Sequence, residues 1–400
     1  MTSTANDRAK TAIIIGGGVA GPTAALALRR AGIEAVVHEA RHPGTGTAGG
    51  PLSVAPNGRA ALALVGADGL LDGLATPTPR FIIQSYTGKV LAEMTDSPDL
   101  RPRATLPRGE LTAALQRHAE SEGVAFVYGK RFVDAVDTGR SVIAQFDDHT
   151  TAEADILIGC DGIHSAVRAT IDPRAPEPRY TGLVSFGGHV TGTGLPDTGG
   201  AQHFVFGRKA FLGYQIEGDE CGWFANLPVK HIEPDELRRT GFATWMERLR
   251  TAFAHDASPA QAILDRVTPE NFIPAHKLED LPRLPQWSKG RTVLVGDAVH
   301  ATSPSSGQGA SLAAESAVEL ARCLRDLPVA AAFDAYRRRR RERVERVIAL
   351  AARTNRAKAA GPVVARFRDL LMPFFMEKFN TPEKTAWQYD YRIDWEETAA

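Results

Sequence analysis

The first forty residues show the changes of hydrophobic period that are typical of a strand, a tight turn, a helix and a second strand. Residues 11–15 (Thr-Ala-Ile-Ile-Ile) form a continuous run of mainly β-branched, apolar residues, as expected for a strand buried on both faces. The glycine-rich turn at 16–21 leads into an Ala- and Leu-rich helix that should extend to about residue 31, with Pro22 in its first turn. Residues 34–38 then return to a strand. This order predicts an α/β unit with parallel strands.

The same patterns recur further along the chain. Apolar residues at helical spacing predict helices over 108–120 and 308–324, and short apolar runs predict buried strands at 155–159 and 292–296. Between about 178 and 275, by contrast, aromatic residues and alternating patterns predict an antiparallel sheet. We interpret this sheet as a second domain that interrupts the α/β domain.

The C-terminal part predicts one long helix over 330–359, followed by an irregular tail rich in aromatic residues that should pack on the body of the protein. The helix carries many arginines, interleaved with Glu342 and Glu345, and this pattern favours a solvated helix face over a nucleic-acid surface. These arginines are Arg337 to Arg341, Arg343 and Arg346.

Together these patterns predict six consecutive segments. They are 1–75, 101–177 and 276–329, which form the α/β domain; 76–100 and 178–275, which supply the strands of the second sheet; and 330–400, the long helix and the tail.

Composition narrows the class of protein. The 400 residues are 43% hydrophobic and 24% charged, and the 47 basic residues balance the 47 acidic ones, so nothing favours a nucleic-acid partner. The three cysteines are far apart and show no C-x-x-C spacing, which argues against a disulfide framework and a zinc site. The polar N-terminus lacks the apolar run of a signal peptide, and no stretch reaches the roughly 18 apolar residues of a membrane span. We expect a cytoplasmic monomer or homodimer with no bound metal and no membrane partner.

The first turn predicts a bound dinucleotide. In Gly16-x-Gly18-x-x-Gly21, the first glycine permits a tight turn, the second lets the backbone approach a pyrophosphate, and the third lets helix and strand pack closely. An acidic residue at the end of the next strand can accept hydrogen bonds from ribose hydroxyls. The motif alone does not separate FAD from NAD. The residues predicted to bind the dinucleotide are Gly16, Gly18, Val19, Ala20, Gly21, Glu39, Ala40 and Arg41.

Two further motifs follow buried strands, namely Gly-Cys-Asp-Gly at 159–162 and Gly-Asp at 296–297, which leads to Pro304 and to Gly-Gln-Gly at 307–309. With the glycine triplet and with Arg108, they resemble the single-component FAD-dependent aromatic hydroxylases of the p-hydroxybenzoate hydroxylase-like superfamily over roughly residues 10 to 330. The layout resembles its short members, the salicylate-type hydroxylases and the tetracycline-inactivating monooxygenases. The resemblance implies an α/β fold, a Rossmann-like FAD-binding domain (GR2-type) interrupted by a second, antiparallel β-sheet substrate domain.

The resemblance also implies roles for these residues. Asp297 should accept hydrogen bonds from the ribityl hydroxyls of FAD, and Asp161 and Gly162 should lie near the pyrophosphate in a motif that also serves NAD(P)H. Arg108 should lie near the flavin and its phosphates. Pro304 should lie beside the isoalloxazine, and Gly307, Gln308 and Gly309 should form a helix N-terminus that faces flavin N1 and O2. The alternative is that Asp161 and Asp297 are helix N-caps after strands.

The implied activity is that of a monooxygenase. Only one glycine triplet has the context of a dinucleotide site, and in the family this goes with transient binding of NADPH or NADH. The resemblance implies hydride transfer to FAD, addition of O2 at flavin C4a, and attack of the resulting hydroperoxide on an electron-rich carbon. The expected substrate is an aromatic or polycyclic, polyketide- or antibiotic-like small molecule.

The substrate pocket should lie between the sheet domain and the Pro304 loop. Proposed substrate-binding residues are His203, Phe204, Phe211, Trp223 and Phe224, and candidate catalytic residues are Arg208, Tyr214, His300 and Pro304. The alternatives are that the sheet aromatics are ordinary core and that His300 is a core histidine with a satisfied hydrogen bond.

Three other functions stay open at this point. The segment 222–228 resembles a halogenase signature, although its second Trp and an evident catalytic lysine are missing. A flavin-dependent reductase of a double bond and a non-catalytic flavin-binding protein are the other two.

Overall fold

The computed structural model describes residues 7–44, 50–358, 369–371, 374 and 382–399. The strands are β1 (Thr11–Ile15), β2 (Glu34–Glu39), β3 (Pro51–Val54), β4 (Thr76–Pro77), β5 (Arg80–Ser85), β6 (Val90–Thr95), β7 (Ala104–Pro107), β8 (Ala125–Tyr128), β9 (Phe132–Asp137), β10 (Val142–Phe146), β11 (Thr151–Ala154), β12 (Ile156–Gly159), β13 (Arg179–Thr191), β14 (Ala201–Phe206), β15 (Phe211–Glu217), β16 (Glu220–Pro228), β17 (Phe272–Asp280), β18 (Ser288–Lys289) and β19 (Thr292–Leu294).

The described α-helices are α1 (Ala20–Arg30), α2 (Pro56–Ala63), α3 (Arg108–Ser121), α4 (Ala166–Ile171), α5 (Pro234–Arg239), α6 (Phe242–Phe253), α7 (Ala260–Leu264), α8 (Asp297–His300), α9 (Gly309–Asp326), α10 (Val329–Lys358) and α11 (Pro382–Tyr389). Short 3-10 helices cover Asp68–Leu71 and Pro304–Ser306. Of the described helices, none combines the length and the hydropathy needed to cross a bilayer.

A six-stranded sheet forms the α/β core, in the order β18-β19-β12-β1-β2-β8. All its neighbouring strands pair in parallel except β18 and β19 at one edge. The apolar run of β1 lies in the interior of this sheet, where Ile14 pairs with Ile158 on one side and Val37 on the other. All three side chains are fully buried, which is why this strand has no polar face. The predicted α/β fold class is confirmed.

The second large sheet has seven strands in the order β17-β13-β16-β15-β14-β5-β6. Its neighbours are antiparallel, as predicted, except for the parallel pair β5 and β14. A parallel pair needs a long connection, and here the chain between β5 and β14 passes through α3, β8, β12 and α4 of the α/β domain. One face of this sheet packs against α6 and α7 in a core that contains Phe186, Trp223, Trp245 and Phe253.

The long helix α10 forms where the sequence predicts it, but its arginines do not all lie on a solvated face. Arg340 is fully buried and Arg343 is nearly so, and both form ion pairs with Glu315 of α9. Arg340 lies four residues after the buried Tyr336 and four before the buried Val344, so helical geometry points it at α9. The prediction of a solvated face is therefore wrong for these two residues.

The described part of the tail packs on the body. Trp395 is 6% exposed and belongs to the main core, and the guanidinium carbon of Arg346 lies 3.6 Å from the ring centroid of Trp387. The other predicted parts of the tail, at 359–368, 372–373, 375–381 and 400, lie outside the described residues.

Candidate active site

The turn between β1 and α1 shows why its glycines are needed. Gly16 has a φ of 103°, and a Cβ on it would lie 2.5 Å from the carbonyl oxygen of Cys160. A Cβ on Gly21 would overlap the carbonyl oxygen of Gly16, so this glycine lets α1 pack against the turn. A Cβ on Gly18, by contrast, would meet nothing within 4 Å. The space beside Gly18 adjoins the N-terminus of α1, where free N–H groups and the helix dipole favour a phosphate.

Glu39 lies at the end of β2 and braces this turn. Its carboxylate accepts hydrogen bonds from the backbone N–H groups of Gly17 (2.6 Å) and Arg41 (2.9 Å). Each oxygen keeps a further lone pair that can accept from a ribose hydroxyl. Gln116 of α3, which sequence reasoning missed, donates to the carbonyl oxygen of Gly17 at 2.7 Å and fixes the turn from the other side. Val19 and Ala20 begin α1 as expected, and Ala40 follows Glu39 at the edge of the same site.

Asp161 has a local structural role. Its carboxylate accepts hydrogen bonds from the Ser165 hydroxyl and from the backbone N–H of Val167 (3.1 Å), and Ser165 in turn caps α4. Burial raises the pKa of Asp161, and these hydrogen bonds oppose the rise. The helix-capping alternative therefore fits the Asp161 side chain. Gly162 has a φ of 82° and open space where a Cβ would lie, so the backbone of this motif is the part that a phosphate can approach.

Asp297, the first residue of α8, is in the opposite situation. No hydrogen bond or ion pair to its carboxylate is found within the described part of the chain. Burial raises its pKa, and the positive charge of Arg108 opposes the rise. Arg108 begins α3, and its exposed side chain faces the same site. Asp297 is partly buried, and a carboxylate that faces a site without a protein donor can accept hydrogen bonds from a ligand, such as the hydroxyls of a ribityl chain.

The Pro304 loop, residues 301–308, connects α8 to the N-terminus of α9. Gly307 adopts the left-handed conformation (φ 59°), and α9 begins at Gly309. The first intrahelical hydrogen bond runs from Leu312 to the carbonyl of Gln308, which leaves the preceding N–H groups of this helix free to face a ligand. The Gln308 side chain is fully buried and accepts from Asn57 at 2.9 Å, and its backbone N–H donates to Ser306 Oγ at 3.1 Å, so the N–H groups open to a ligand are those that follow Gln308.

A buried charge cluster lies behind this helix start, and sequence reasoning missed it. The carboxylate of Glu315 accepts from Asn57 (2.6 Å) and forms ion pairs with Arg340 (2.6 Å) and Arg343 (2.8 Å). Burial alone would raise the pKa of Glu315, but the two guanidinium groups outweigh it and lower the pKa. The cluster joins α2, α9 and α10. The feature of the sequence that could have indicated this cluster is Glu315 itself, an acidic residue inside the predicted apolar helix 308–324.

His300 is a core residue, contrary to its candidate catalytic role. It is 3% exposed, and its Nε2 lies 2.8 Å from the hydroxyl of Ser316. Burial lowers its pKa to about 3, so the ring is neutral at physiological pH. The alternative of a satisfied core histidine is the correct one.

The predicted pocket residues lie on two opposite faces of the seven-stranded sheet. Phe204 pairs with Gly213, and Gly213 pairs with Phe224, so these three residues lie on one face of the sheet. Phe211 lies two residues before Gly213 on β15 and therefore points to the same face. A Cβ on Gly213 would overlap the Phe224 ring, which explains the glycine there. The rings of Phe204 and Phe211 stack with their centroids 5.8 Å apart. We call Phe204, Phe211 and Phe224 the aromatic face.

His203, Tyr214 and Trp223 lie on the other side. Tyr214 and Trp223 belong to the core that α6 and α7 cover, with exposures of 8% and 0%, and His203 stacks on Tyr214 at 4.9 Å. Burial raises the pKa of Tyr214 to about 12. His203 and Trp223, which were predicted to bind the substrate, and Tyr214, a candidate catalytic residue, therefore lie on the face opposite the aromatic face, because adjacent strand positions point to opposite faces.

Arg208 lies in the exposed turn between β14 and β15. Its backbone N–H donates to Asp256 at 3.2 Å, and its guanidinium carbon lies 5.4 Å from the Tyr86 ring centroid. These contacts place it at the outer end of the sheet, and none of them supports the candidate catalytic role.

Lys358 closes the site, and sequence reasoning missed it. Its Nζ donates to Asn226 Oδ1 (2.8 Å) and to Ser305 Oγ (2.9 Å), and lies 3.9 Å from the ring centroid of Phe211. Asn226 pairs with Phe211 across β15 and β16, so it lies on the same side of the sheet as the aromatic face. Lys358 therefore joins the aromatic face to the Pro304 loop. Within the described ranges no group of His, Cys, Asp and Glu side chains could hold a metal ion.

Comparison with known proteins bears on this site. The family model for the FAD binding domain matches residues 9–210 and 225–351. An FAD-dependent urate hydroxylase from Klebsiella pneumoniae is 30% identical over 350 residues, which cover 84% of this chain and 87% of that protein. A 6-hydroxynicotinate 3-monooxygenase from Pseudomonas fluorescens is 29% identical over 350 residues, with coverage of 84% and 88%. Among solved structures, a salicylate hydroxylase substrate complex superposes with a TM-score of 0.78 at 20% identity, covering 98% of this chain and 97% of that one.

Proposed function

The chain belongs to the FAD-binding family of monooxygenases and hydroxylases, and on this premise we propose that it uses NADH or NADPH and O2 to hydroxylate an aromatic or polycyclic small molecule. FAD is its cofactor. When bound, FAD accepts a hydride from the nicotinamide and activates O2. The protein's own residues must hold FAD, bind the substrate ring and keep water away from the reaction.

The residues around the α/β domain fit FAD. The open space beside Gly18 and Gly162 suits a pyrophosphate, and Glu39 has lone pairs left for the adenosine ribose. Asp297 has no donor among the described residues and suits the ribityl hydroxyls. The free N–H groups at the start of α9 suit the electron-rich edge of the reduced flavin ring. We propose that these groups, with Arg108, hold the cofactor.

The observation that carries the proposed substrate class is the aromatic face, which lies opposite the Pro304 loop. Three phenylalanines from three neighbouring strands form an apolar surface, and Lys358 ties this surface to Ser305. A flat ring binds such a surface by stacking and by losing contact with water. The two relatives are named for urate and 6-hydroxynicotinate, and both compounds are flat nitrogen heterocycles. This supports an aromatic substrate for the present chain.

A nicotinamide site of its own is not required by this proposal. The only turn of the sequence that combines a glycine triplet with a following helix and an acidic residue is the one that suits FAD. NADH or NADPH would therefore bind transiently, near the site that FAD occupies.

The test is a screen of NADH and NADPH oxidation by the purified FAD-loaded protein in the presence of phenols, N-heteroaromatic acids and polycyclic phenols. We expect at least one ring compound to accelerate oxidation of the nicotinamide and to gain one oxygen atom in mass. A product that forms equally well without O2 would identify a double-bond reductase, and a bromide-dependent product mass would identify a halogenase. FAD that is never reduced by either nicotinamide would indicate a non-catalytic flavin-binding protein.

A further inference from the structure

Lys358 is the last residue of α10, and its amino group reaches the point where α10, β16 and the Pro304 loop meet. The described residues offer it no carboxylate within ion-pair distance. Its two hydrogen-bond partners, Asn226 and Ser305, are neutral acceptors. A partly buried amino group without a counter-charge is unfavourable, and in proteins this arrangement often marks a reacting or ligand-binding group.

The two acceptors hold Lys358 Nζ in a defined orientation. Asn226 is 2% exposed, and its Nδ2 donates to Ser185 Oγ at 3.1 Å, so its Oδ1 is directed at the lysine. Nitrogen in an amine or ammonium group has four tetrahedral positions, one of which is the bond to Cε. Asn226 and Ser305 account for two of the other three, whether or not the group is charged. The last position is a donor in the ammonium form and a lone pair in the amine form.

The surroundings favour easy exchange between the two forms. Burial lowers the pKa of Lys358 to about 7. The groups that contact it from β15, β16 and the Pro304 loop are Phe211, Phe224, Asn226 and Ser305, none of which titrates near neutral pH. On β13, Ser185 contacts Asn226 rather than the lysine, and on β17 the exposed His276 pairs with Ser185. The aromatic rings stabilise the charged form when it arises.

We propose that the remaining position of Lys358 Nζ binds the ring oxygen of a phenolic or enolic substrate held on the aromatic face and takes its proton. This inference rests on the proposed function. The O–H bond of the substrate breaks, an N–H bond forms on the lysine, and the electron pair stays on oxygen. A neutral amine and a neutral phenol thus become an ammonium and an oxyanion, paired across one hydrogen bond. The oxyanion donates electron density to the ring, which makes its carbon atoms better nucleophiles for an electrophilic oxygen.

The structural alternative is that Lys358 only ties α10 to the sheet. The two roles differ in what they predict for ligands. If Lys358 has only this structural role, the affinity for a bound ring does not depend on whether the ring carries a hydroxyl group. A proton acceptor prefers a phenol to the methyl ether of the same ring, and this preference disappears at low pH, where the lysine is already protonated.

The experiment measures ligand binding to the FAD-loaded protein by the change in flavin fluorescence or absorbance, and needs no turnover. The probes are one-, two- and three-ring phenols, each paired with its methyl ether. At about pH 8 we expect the wild type to bind at least one phenol about tenfold or more tightly than its ether, and to lose most of this preference below about pH 6. Lys358→Met and Lys358→Gln should bind both members of a pair alike, with full FAD content. Lys289→Met, at an exposed strand position, is the matched control and should behave as the wild type.

Several outcomes overturn the proposal. One is a wild type that holds FAD but prefers no phenol to its ether, or binds none of the probes; this result does not depend on whether the variants fold. Another is a Lys358→Met or Lys358→Gln protein that keeps the preference. Failure of the proposed function itself has a different signature, namely no O2-dependent product from any ring compound, whatever the binding data show.

Discussion

The carboxylate of Glu315 lies 2.6 Å from the guanidinium of Arg340, and both side chains are fully buried. This pair joins the middle of α9 to the middle of α10. The N-terminus of α9 bounds the proposed flavin site, and the C-terminus of α10 carries Lys358. One buried ion pair therefore fixes the two helix ends that face each other across the site.

Removal of the Glu315 charge should destabilise the whole protein. In Glu315→Gln, Arg340 and Arg343 lose the carboxylate that compensates their buried charges. Loss of one partner of a buried ion pair typically costs about 3–5 kcal/mol of folding free energy. Denaturant unfolding of the apoprotein measures the loss, with Glu122→Gln at the exposed C-cap of α3 as the control. Equal stability of the two variants would show that the cluster is not needed for folding.

The two aspartates of the predicted cofactor motifs should respond differently to substitution. Asp297→Asn should leave the fold intact and strongly reduce FAD retention, because its carboxylate has no protein donor among the described residues and is the proposed acceptor for the ribityl hydroxyls. Asp161→Asn should mainly lower the melting temperature, because Asp161 accepts two hydrogen bonds at the start of α4. The ratio of flavin to protein absorbance and the melting temperature of each variant measure the contrast. Full FAD occupancy in Asp297→Asn contradicts the ribityl assignment.

Substitutions of two glycines in the first turn should likewise have different effects, one on FAD binding and the other on stability. Gly18→Val fills open space, so the apoprotein should stay folded while the variant fails to retain FAD. Gly21→Ala brings a Cβ onto the carbonyl oxygen of Gly16, so here the apoprotein itself should be destabilised. Melting curves of the apoproteins and FAD titrations measure the two effects. If Gly18→Val binds FAD normally, the pyrophosphate does not lie beside this residue.

Adjacent residues of β16 test which sheet face binds the substrate. Phe224→Leu should raise KM for the ring substrate and increase nicotinamide oxidation without product, with little change in stability. Trp223→Ala should instead cost about 3–5 kcal/mol of stability, because the indole is fully buried beneath α6 and α7. Steady-state kinetics and unfolding curves measure the pair. An increase in KM caused only by the Trp223 substitution would reverse the assignment of faces.

The pH profile should follow the charge next to Lys358. Asn226→Asp places a carboxylate where the amide oxygen now lies 2.8 Å from Nζ, and the negative charge raises the pKa of the lysine above its present value of about 7. The amine form that takes a proton then appears only at higher pH, so the acidic limb of kcat/KM for a phenol should move upward. Ser305→Ala adds no charge and removes one acceptor of the ammonium form, so in this variant the limb should not move upward. If the acidic limb of kcat/KM stays at the same pH in Asn226→Asp, the pH profile does not report the titration of Lys358.

The sequence predicts those parts of the site that depend on local geometry. Gly16, Gly18 and Gly21 lie within one turn, and Glu39 ends the next strand, so spacing alone brings them together. The distinction between Asp161 and Asp297 could not be predicted, because it depends on Ser165 and Val167 satisfying only the first of the two.

Residues whose role depends on distant partners were missed or misplaced. Arg340 looks like part of a charged helix until Glu315, in another helix, is placed against it. Trp223 and Phe224 differ by a single position, and only the register of β15 against β16 shows which one faces the Pro304 loop. Lys358 is close to Asn226 in space but 132 residues away in sequence, and no motif links the two.

The origin of the oxygen atom in the product tests the account most directly. The FAD-loaded protein is mixed with NADH or NADPH, the best ring compound from the screen and isotopically labelled O2, and the product is analysed by mass spectrometry. The account predicts that the product carries one labelled oxygen atom on the ring and that none forms under anaerobic conditions. An oxygen derived from water, or a product that forms without O2, would contradict it.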